Sequence, residues 1–215
     1  MKPRYSALLA CLTLLLGLPL AATGAATGAA AETLVYEIQR DGEIIGEQRV
    51  EIDGDRVEVT QEIEVSALFI TLYSRSHRRV ETWSEGRIVR IEATTDDDGT
   101  PFELLIEAEG EGYRRTVNGV TESFGADYGF APDWNLAVAD RPKALSAQTD
   151  EIYDPLIMEQ QGRDLVTLEL SSGSYRTERW EASGAFERDL WYDEDGRLVQ
   201  MLFQSRGARI EYFRK

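Results

Sequence analysis

Cysteine and histidine are nearly absent from this chain of 215 residues, which contains one of each, Cys11 and His77. A single cysteine cannot form an internal disulfide, and a single histidine cannot supply the several ligands that a zinc site requires. Phosphate-binding loops and dinucleotide-binding fingerprints are also missing. We therefore expect no metal ion and no cofactor, and we expect stability to come from an apolar core.

Basic residues are outnumbered, with 23 lysines and arginines against 39 aspartates and glutamates and a formal net charge of −16. Nucleic acids and anionic membrane surfaces are bound through basic patches that release counterions or complement lipid charge. An acidic body is a poor partner for both, so we expect no nucleic acid among its ligands. Solubility is the simplest explanation of the charge.

Long apolar runs are confined to the N-terminus. Lys2 and Arg4 precede an apolar run over residues 7–20, and small residues follow as far as Ala31. This order is typical of a secretory signal peptide, and the run is shorter than the roughly 20 apolar residues that a bilayer span needs. Residues 1–31 are therefore predicted to be a signal peptide that is cleaved near Ala31, which directs the protein to the periplasm without a transmembrane span.

An uncleaved anchor helix and a lipid-modified N-terminus are the two alternatives to a cleaved signal. Gly17 and Pro19 interrupt the apolar run, which disfavours an anchor. Cys11 lies within the run instead of at its end, which disfavours lipid attachment. Removal of the signal then leaves a chain without cysteine.

Helical periodicity is missing after Ala31, and short alternating segments separated by Asp-Gly and Asn-Gly turns take its place. Turns that recur about every 8 to 12 residues are typical of all-β folds. We predict an antiparallel, strongly curved sheet or incomplete barrel, built by a single domain over residues 32–215. Residues 125–162 contain three prolines and lack strict alternation, so they are predicted to be an irregular insertion with a short helix between residues 133 and 147.

Glycine and proline are absent from residues 55–85. A single strand of that length would extend about 100 Å, far beyond the diameter of such a domain. The chain must therefore fold back, and residues 66–74 are the expected place. The residues at its centre, Ala67-Leu68-Phe69-Ile70, are apolar at odd-numbered and even-numbered positions alike. This pattern is compatible with a helical turn or a strongly bent strand.

The strand after this bend alternates aromatic and charged residues: Tyr73, Arg75, His77, Arg79, Glu81 and Trp83. Arginines offer forked donors to anions, so this row on the concave side of a curved sheet would bind an anionic head group beside an apolar tail. Trp134, in the irregular insertion, is a candidate for a further ligand contact. The alternative is a solvent-exposed strand face whose cations pair with neighbouring glutamates.

Catalytic chemistry has little support in the sequence. His77 has no Gly-x-Ser-x-Gly nucleophile elbow to serve. The acidic segments 96–99 and 193–196 lack the ligand spacing of a calcium-binding loop and are better explained as hairpin turns. A pair of catalytic carboxylates depends on a separation of about 5 to 9 Å that a sequence does not reveal. The sequence favours a binding or structural protein over an enzyme.

Several segments, taken together in their order and spacing, resemble a known family. They are Tyr36-Glu-Ile-Gln-Arg-Asp41-Gly42 with Ile45-Gly46, residues 73–83, Thr95-Asp-Asp-Asp98-Gly99, Trp134-Asn135, Leu190-Trp191-Tyr192-Asp193, and Ile210-Glu-Tyr212. They are similar to exported bacterial proteins grouped as domain of unknown function 6134, whose layout is similar to that of domain of unknown function 3108. The resemblance implies a Gram-negative periplasm and an antiparallel sheet, and it carries over no catalytic residue.

Three hypotheses for function remain open from the sequence. The leading one is a periplasmic protein that binds a lipid-like or amphipathic ligand on a concave sheet face, through Tyr73, Arg75, His77, Arg79, Trp83 and Trp134. The second is an envelope protein that docks a partner protein through a sheet edge or the insertion. The third is a hydrolase whose carboxylates the sequence does not locate.

Overall fold

Antiparallel strands account for nearly all of the described chain. The computed structural model describes residues 31–215, so residues 1–30 of the predicted signal peptide lie outside it. Eight strands come first: β1 (Glu32–Arg40), β2 (Glu43–Asp53), β3 (Arg56–Ala67), β4 (Ile70–Ser84), β5 (Arg87–Asp97), β6 (Thr100–Glu109), β7 (Gly112–Val117) and β8 (Val120–Phe124). Nine more follow: β9 (Tyr128–Phe130), β10 (Lys143–Leu145), β11 (Ile152–Tyr153), β12 (Leu156–Gln160), β13 (Val166–Leu170), β14 (Gly173–Gly184), β15 (Arg188–Asp193), β16 (Leu198–Ser205) and β17 (Ala208–Arg214).

Fourteen of these strands form one antiparallel sheet. Its order is β12, β14, β15, β16, β17, β1, β2, β3, β4, β5, β6, β7, β8, with β13 beside β14 on the same edge as β12. The last strand, β17, pairs with the first, β1, so that Tyr36 lies opposite Arg214 and Arg40 opposite Ile210. This pairing joins the strands that precede the predicted insertion and the strands that follow it into one sheet, and it confirms the predicted all-β, antiparallel class.

The sheet is strongly curved but does not close on itself. Strands β4 and β15 are six strand spacings apart in the sheet, which would separate them by about 29 Å if the sheet were flat. Residues of both strands nevertheless line one cavity on the concave side. Strand β8 at one end, and β12 with β13 at the other, are edges that pair on one side only.

Two-residue turns join many neighbouring strands. Asp41-Gly42 and Asn118-Gly119 have both residues at positive φ, as tight hairpins require, and glycine tolerates that conformation without strain. The segment 55–85 also folds back inside the expected region. Strand β3 ends at Ala67, β4 begins at Ile70, and Leu68 with Phe69 forms the turn between them, so the bend is a tight hairpin.

The segment 125–162, predicted as an irregular insertion, includes four strands, of which β12 pairs with β14 in the large sheet. The part between β8 and β12, called the insertion below, packs against the concave face. Its strands β9, β10 and β11 form a separate small sheet, and its helical part is a single 3₁₀ turn at Leu136–Val138. Trp134 and Ala144 join the core cluster that contains the inward side chains of β1 to β3, whereas Phe130 and Leu145 join the cluster under β5 and β6. Within residues 31–215, no helix is long and apolar enough to cross a bilayer.

Candidate functional site

A cavity of about 720 Å³ lies on the concave face, between the sheet and the insertion. Strands β1 to β5 supply one wall, and β16, β17 and the turn before β15 supply the other. Segments 131–133 and 146–153 of the insertion complete the lining. The volume falls within the range of about 300 to 1,000 Å³ that is usual for small-molecule sites.

Strand alternation explains why the predicted row of β4 faces inward. In the β3–β4 register, Val65 lies opposite Tyr73 and Ile63 lies opposite Arg75. Paired residues of antiparallel strands share a face, so the apolar row of β3 and the polar row of β4 point into the same concavity. The alternative of a solvent-exposed strand face does not describe this row, because His77, Arg79 and Glu81 are buried.

Arg79 is the centre of a buried polar network, with 1% of its side chain exposed. Its Nε donates to Glu81 Oε1 at 2.8 Å, and its Nη2 donates to Asp133 Oδ2 at 2.6 Å. Glu81 also accepts hydrogen bonds from the indole nitrogens of Trp83, at 3.0 Å, and Trp134, at 3.3 Å. The network therefore ties the insertion to the sheet and fixes one guanidinium at the cavity wall.

Asp133 is held as a carboxylate by its neighbours. Burial acts to raise its pKa, but the charge and hydrogen bond of Arg79 and the amide donors Gln48 and Gln148 outweigh burial and lower the pKa below the usual value. Burial acts to lower the pKa of Arg79. The negative charges and hydrogen bonds of Asp133 and Glu81 outweigh burial and raise this pKa. The pair is ionised at neutral pH and forms a charged contact between β4 and the insertion.

Three arginines of the cavity have donors that the protein leaves unused. Arg75 Nε and Nη2, Arg79 Nη1 and Arg188 Nη1 are buried and have no hydrogen-bond partner among residues 31–215. Arg75 and Arg188 also form no ion pair within that part of the chain, in contrast to Arg79. An unsatisfied buried donor costs about 1–3 kcal/mol, and more when it is charged, so these groups favour an anion in the cavity.

Arg188 is held between two aromatic rings. Its guanidinium carbon lies 3.6 Å from the centroid of Phe203 and 4.4 Å from the centroid of Phe186. Burial lowers the pKa of Arg188, although Tyr212 and Tyr153 act in the opposite direction. The rings fix the guanidinium plane while its nitrogen atoms remain available to an acceptor in the cavity.

Apolar side chains form a second part of the lining: Ile45, Ile63, Val65, Ala131, Ala147, Met201, Phe203 and Ile210. Polar side chains are also present, among them the arginines Arg40 and Arg206 and the carboxylates Asp97, Glu151 and Glu187. Tyr73 also lines the cavity, and burial together with a hydrogen bond to Asp97 raises its pKa to about 12, so its phenol is neutral. The cavity thus combines a cationic part, which contains the three arginines, with an apolar part from β2, β3, β16 and β17.

The six residues predicted from the sequence are not all at the cavity. Tyr73, Arg75 and Arg79 line it, whereas His77, Trp83 and Trp134 do not. His77 is 2% exposed and shares a hydrogen bond of 2.8 Å with Thr95. Trp134 is 3% exposed and packs edge-on against Trp83, with a centroid distance of 5.9 Å. The two tryptophans support the Glu81 carboxylate from behind the cavity wall.

Sequence reasoning missed Arg188, Asp133 and Gln48, which the fold brings to the same site. The sequence did contain a signal for Arg188 and Gln48, because each interrupts a row of apolar residues on one face of a strand. Arg188 lies on the same face as Phe186 and Leu190, and Gln48 lies on the same face as Val50. A polar residue at a position that should be buried requires a partner. Asp133 lies in irregular chain and carried no comparable signal.

The acidic hairpins are turns rather than ion sites. Asp96 Oδ1 accepts the backbone N–H of Gly99 at 2.7 Å, and Asp193 Oδ1 accepts those of Asp195 and Arg197 at 3.0 and 2.9 Å. Their carboxylates are therefore used to close the turns. Among residues 31–215, no group of three or more His, Cys, Asp or Glu side chains is placed to hold a metal ion.

Comparison with protein families gives a match over residues 36–215 to the model described as domain of unknown function (DUF6134). The chain belongs to this family. The match begins within β1 and includes every later strand, so the DUF6134 region contains the whole cavity and the insertion. No curated protein matches the sequence.

Proposed function

We propose that this DUF6134 protein binds an amphipathic anion in the concave cavity. Arg75 and Arg188, with the free Nη1 of Arg79, receive the anionic group, and the apolar wall receives the tail. The observation that carries the proposal concerns two half-buried arginines, Arg75 and Arg188, that share a cavity in a chain whose net charge is −16. Each has buried donors without a hydrogen-bond partner among residues 31–215. Asp97, Glu151 and Glu187 also line the cavity, but among residues 31–215 none of them forms an ion pair with Arg75 or Arg188.

The chemistry of guanidinium groups indicates the kind of head group. Arginine donates two parallel hydrogen bonds to carboxylates and phosphates, and charge-assisted bonds of this type are about twice as strong as neutral ones. Arg188 is already oriented by Phe186 and Phe203, so little side-chain entropy is lost when it binds. A carboxylate or phosphate monoester therefore matches the free donors.

The apolar wall indicates the rest of the ligand. Ile63 and Val65 of β3, Met201 of β16 and Ile210 of β17 line the same cavity as the arginines. A fully hydrophilic anion would leave these side chains in contact with water, whereas an alkyl or aromatic tail would bury them at about 25 cal/mol per Å² of apolar surface. An anion with an apolar tail satisfies both parts of the lining.

Binding is better supported than acid–base catalysis at this site. Asp133 is the carboxylate in the cavity wall nearest to the arginine network, and Arg79 keeps its pKa below the usual range. A carboxyl group held in this way is ionised and is a weak base, so it is a poor proton donor or acceptor at neutral pH. The hydrolase hypothesis stays a prediction without an assigned carboxylate.

Calorimetric titration with three matched probes tests the proposal. Dodecyl phosphate, used below its micelle concentration, carries both the anion and the tail; dodecanol carries only the tail, and inorganic phosphate only the anion. We expect dodecyl phosphate to bind at least about tenfold more tightly than either of the others, which corresponds to about 1.4 kcal/mol. Equal affinity for dodecanol would contradict an anion site.

Matched variants assign the binding to the cavity arginines. Arg75→Gln and Arg188→Gln each remove one cation and are expected to weaken dodecyl phosphate binding about tenfold to a hundredfold, because a hydrogen bond to a charged group contributes about 1.5–3 kcal/mol. Arg49→Gln removes the same charge from an exposed position, where the side chain is 44% exposed. Affinity should be unchanged in that control, and equal losses in all three variants would overturn the assignment.

The compartment that we propose is the periplasm, as the N-terminal segment 1–31 predicts. Intact mass measurement of protein recovered from the periplasmic fraction tests this part separately. The mass of a chain that begins near Glu32 supports cleavage next to Ala31. The mass of the full precursor, found in a membrane fraction, supports an anchor.

A further inference from the structure

The β3–β4 hairpin tip, defined here as residues 66–72, carries a cluster of exposed apolar side chains. The exposed fractions are 90% for Leu68, 106% for Phe69, 63% for Ile70 and 60% for Leu72. No residue from 65 to 74 is charged, although 29% of the chain consists of Asp, Glu, Lys and Arg. Isolated exposed apolar residues are ordinary, but four of them together on an uncharged segment mark an interaction site.

The backbone at the turn of the tip adopts a strained conformation. Leu68 and Phe69 have φ of 51° and 65°. The corresponding turns elsewhere in residues 31–215 have glycine at the second position: Asp41-Gly42, Glu85-Gly86, Asp98-Gly99, Asn118-Gly119 and Arg206-Gly207. A bulky residue at positive φ is unfavourable, so Leu68 and Phe69 occupy this turn at a cost in backbone strain. Strain of this kind is typical of functional positions.

The tip stands at the rim of the cavity. Val65 and Tyr73 lie opposite each other on β3 and β4, and both line the cavity. The hairpin continues past this pair to the Ala67–Ile70 pair, beyond which Leu68 and Phe69 form the turn. The apolar tip and the apolar side of the cavity are therefore consecutive along the same two strands.

We propose that the β3–β4 hairpin tip inserts into the apolar interior of a lipid bilayer and brings the mouth of the cavity to the membrane surface. The inference rests on the proposed function, because an amphipathic anion resides in bilayers and would enter the cavity from one. The tip supplies apolar contacts only, so binding does not require anionic lipid. The acidic body, at −16, is repelled by anionic surfaces.

The shape and charge of the tip favour a bilayer over a protein partner. A stable protein interface buries about 800 Å² on each side, which is more than a two-residue turn and its flanking residues present. Fluid hydrocarbon adapts to a narrow convex wedge, whereas a protein would need a matching groove. A segment without charge also offers no ion pairs to orient a protein partner.

Vesicle flotation with designed variants tests the inference. Protein recovered from cells that express the whole chain is mixed with vesicles of phosphatidylcholine, or of equal parts phosphatidylcholine and phosphatidylglycerol. The variant Leu68→Asn/Phe69→Gly installs the preferred sequence for this turn, so it removes the two most exposed apolar side chains of the tip and keeps the hairpin. Val166→Ser, at an edge strand where the side chain is 44% exposed, is the matched control for loss of exposed apolar surface.

We expect the wild type and Val166→Ser to float equally with phosphatidylcholine, and binding not to increase with phosphatidylglycerol. Leu68→Asn/Phe69→Gly should bind vesicles at least about tenfold more weakly. Failure of the wild type to float, equal flotation of the tip variant, or capture of the tip by a protein in place of lipid would overturn the inference.

Solution titration separates failure of this inference from failure of the proposed function. The tip variant should bind dodecyl phosphate with unchanged affinity when no vesicles are present, because none of its substituted residues lines the cavity. Conversely, Arg188→Gln should lose affinity for the probe and keep its vesicle binding. Probe binding without vesicle binding in the wild type would refute the membrane contact alone.

Discussion

Arg79 Nη2 and Asp133 Oδ2 lie 2.6 Å apart, although 54 residues separate them in the chain. One belongs to the fourth strand of the sheet and the other to the loop that follows β9. Their exposed fractions are 1% and 15%, so the pair is shielded from water on most sides. The contact fixes the insertion over the concave face and thereby forms one wall of the cavity.

Loss of the Asp133 charge should destabilise the protein. In Asp133→Asn, Arg79 keeps Glu81 but loses its second carboxylate, and we expect the free energy of unfolding to fall by about 3 kcal/mol, as is usual when one partner of a buried pair is removed. Denaturant unfolding measures this change. Glu194→Gln, which removes a charge from an ion pair with both side chains more than 60% exposed, should change stability by less than about 0.5 kcal/mol. Similar effects of the two substitutions would contradict the structural role of Asp133.

Local patterns were sufficient to predict most strands of the large sheet and several of its turns, but not the short strands β9 to β12 in the segment predicted to be irregular. The alternation of apolar and polar residues predicted β3. The absence of glycine and proline between residues 55 and 85 predicted that the chain folds back there, which it does at Leu68-Phe69. The pairing of β1 with β17 was not predictable, because an edge strand carries the same alternation as a central one. That pairing, with the curvature, brings Arg188 and Arg75 to one cavity from opposite parts of the chain.

Acid should destabilise the protein through His77. Burial, followed by the charges of Arg79 and Arg75, lowers the pKa of His77 from 6.5 to about 3, while Asp133 acts in the opposite direction. Between these values the unfolded chain binds a proton that the folded protein does not, so the free energy of unfolding decreases as the pH falls. The slope should reach about 1.4 kcal/mol per pH unit.

His77→Gln checks this effect, because the chain has no other histidine. Denaturant unfolding at a series of pH values between 6.5 and about 5, above the carboxylate range, should give a flatter profile for the variant than for the wild type. Parallel profiles would show that protonation of His77 is not coupled to unfolding.

The unpaired cation in the cavity should cost stability when no ligand is bound. We expect Arg188→Met to raise the free energy of unfolding of the ligand-free protein by about 1 kcal/mol, since a desolvated guanidinium is replaced by a flexible apolar side chain between Phe186 and Phe203. Arg214→Met is the contrasting variant, because Arg214 pairs with Asp193 at 2.6 Å and its loss should destabilise by about 3 kcal/mol. A destabilised Arg188→Met would indicate that Arg188 is structural.

Relief of the hairpin strain should also be measurable. Leu68→Asn/Phe69→Gly places at the β3–β4 turn the residue types found at Asn118-Gly119, and we expect thermal or denaturant unfolding to show a gain of about 1 kcal/mol. A loss of stability would mean that Leu68 and Phe69 contribute contacts within the monomer, which their exposure of 90% and 106% argues against.

The central claim is that the cavity holds an amphipathic anion. Native mass spectrometry of protein purified from the cells that naturally produce it tests this claim most directly. We predict a stoichiometric adduct that survives in Arg49→Gln, disappears in Arg188→Gln, and is released by denaturing extraction as a carboxylate or phosphate with an apolar tail. A wild-type protein that carries no adduct and binds no dodecyl phosphate when it is added would contradict the account.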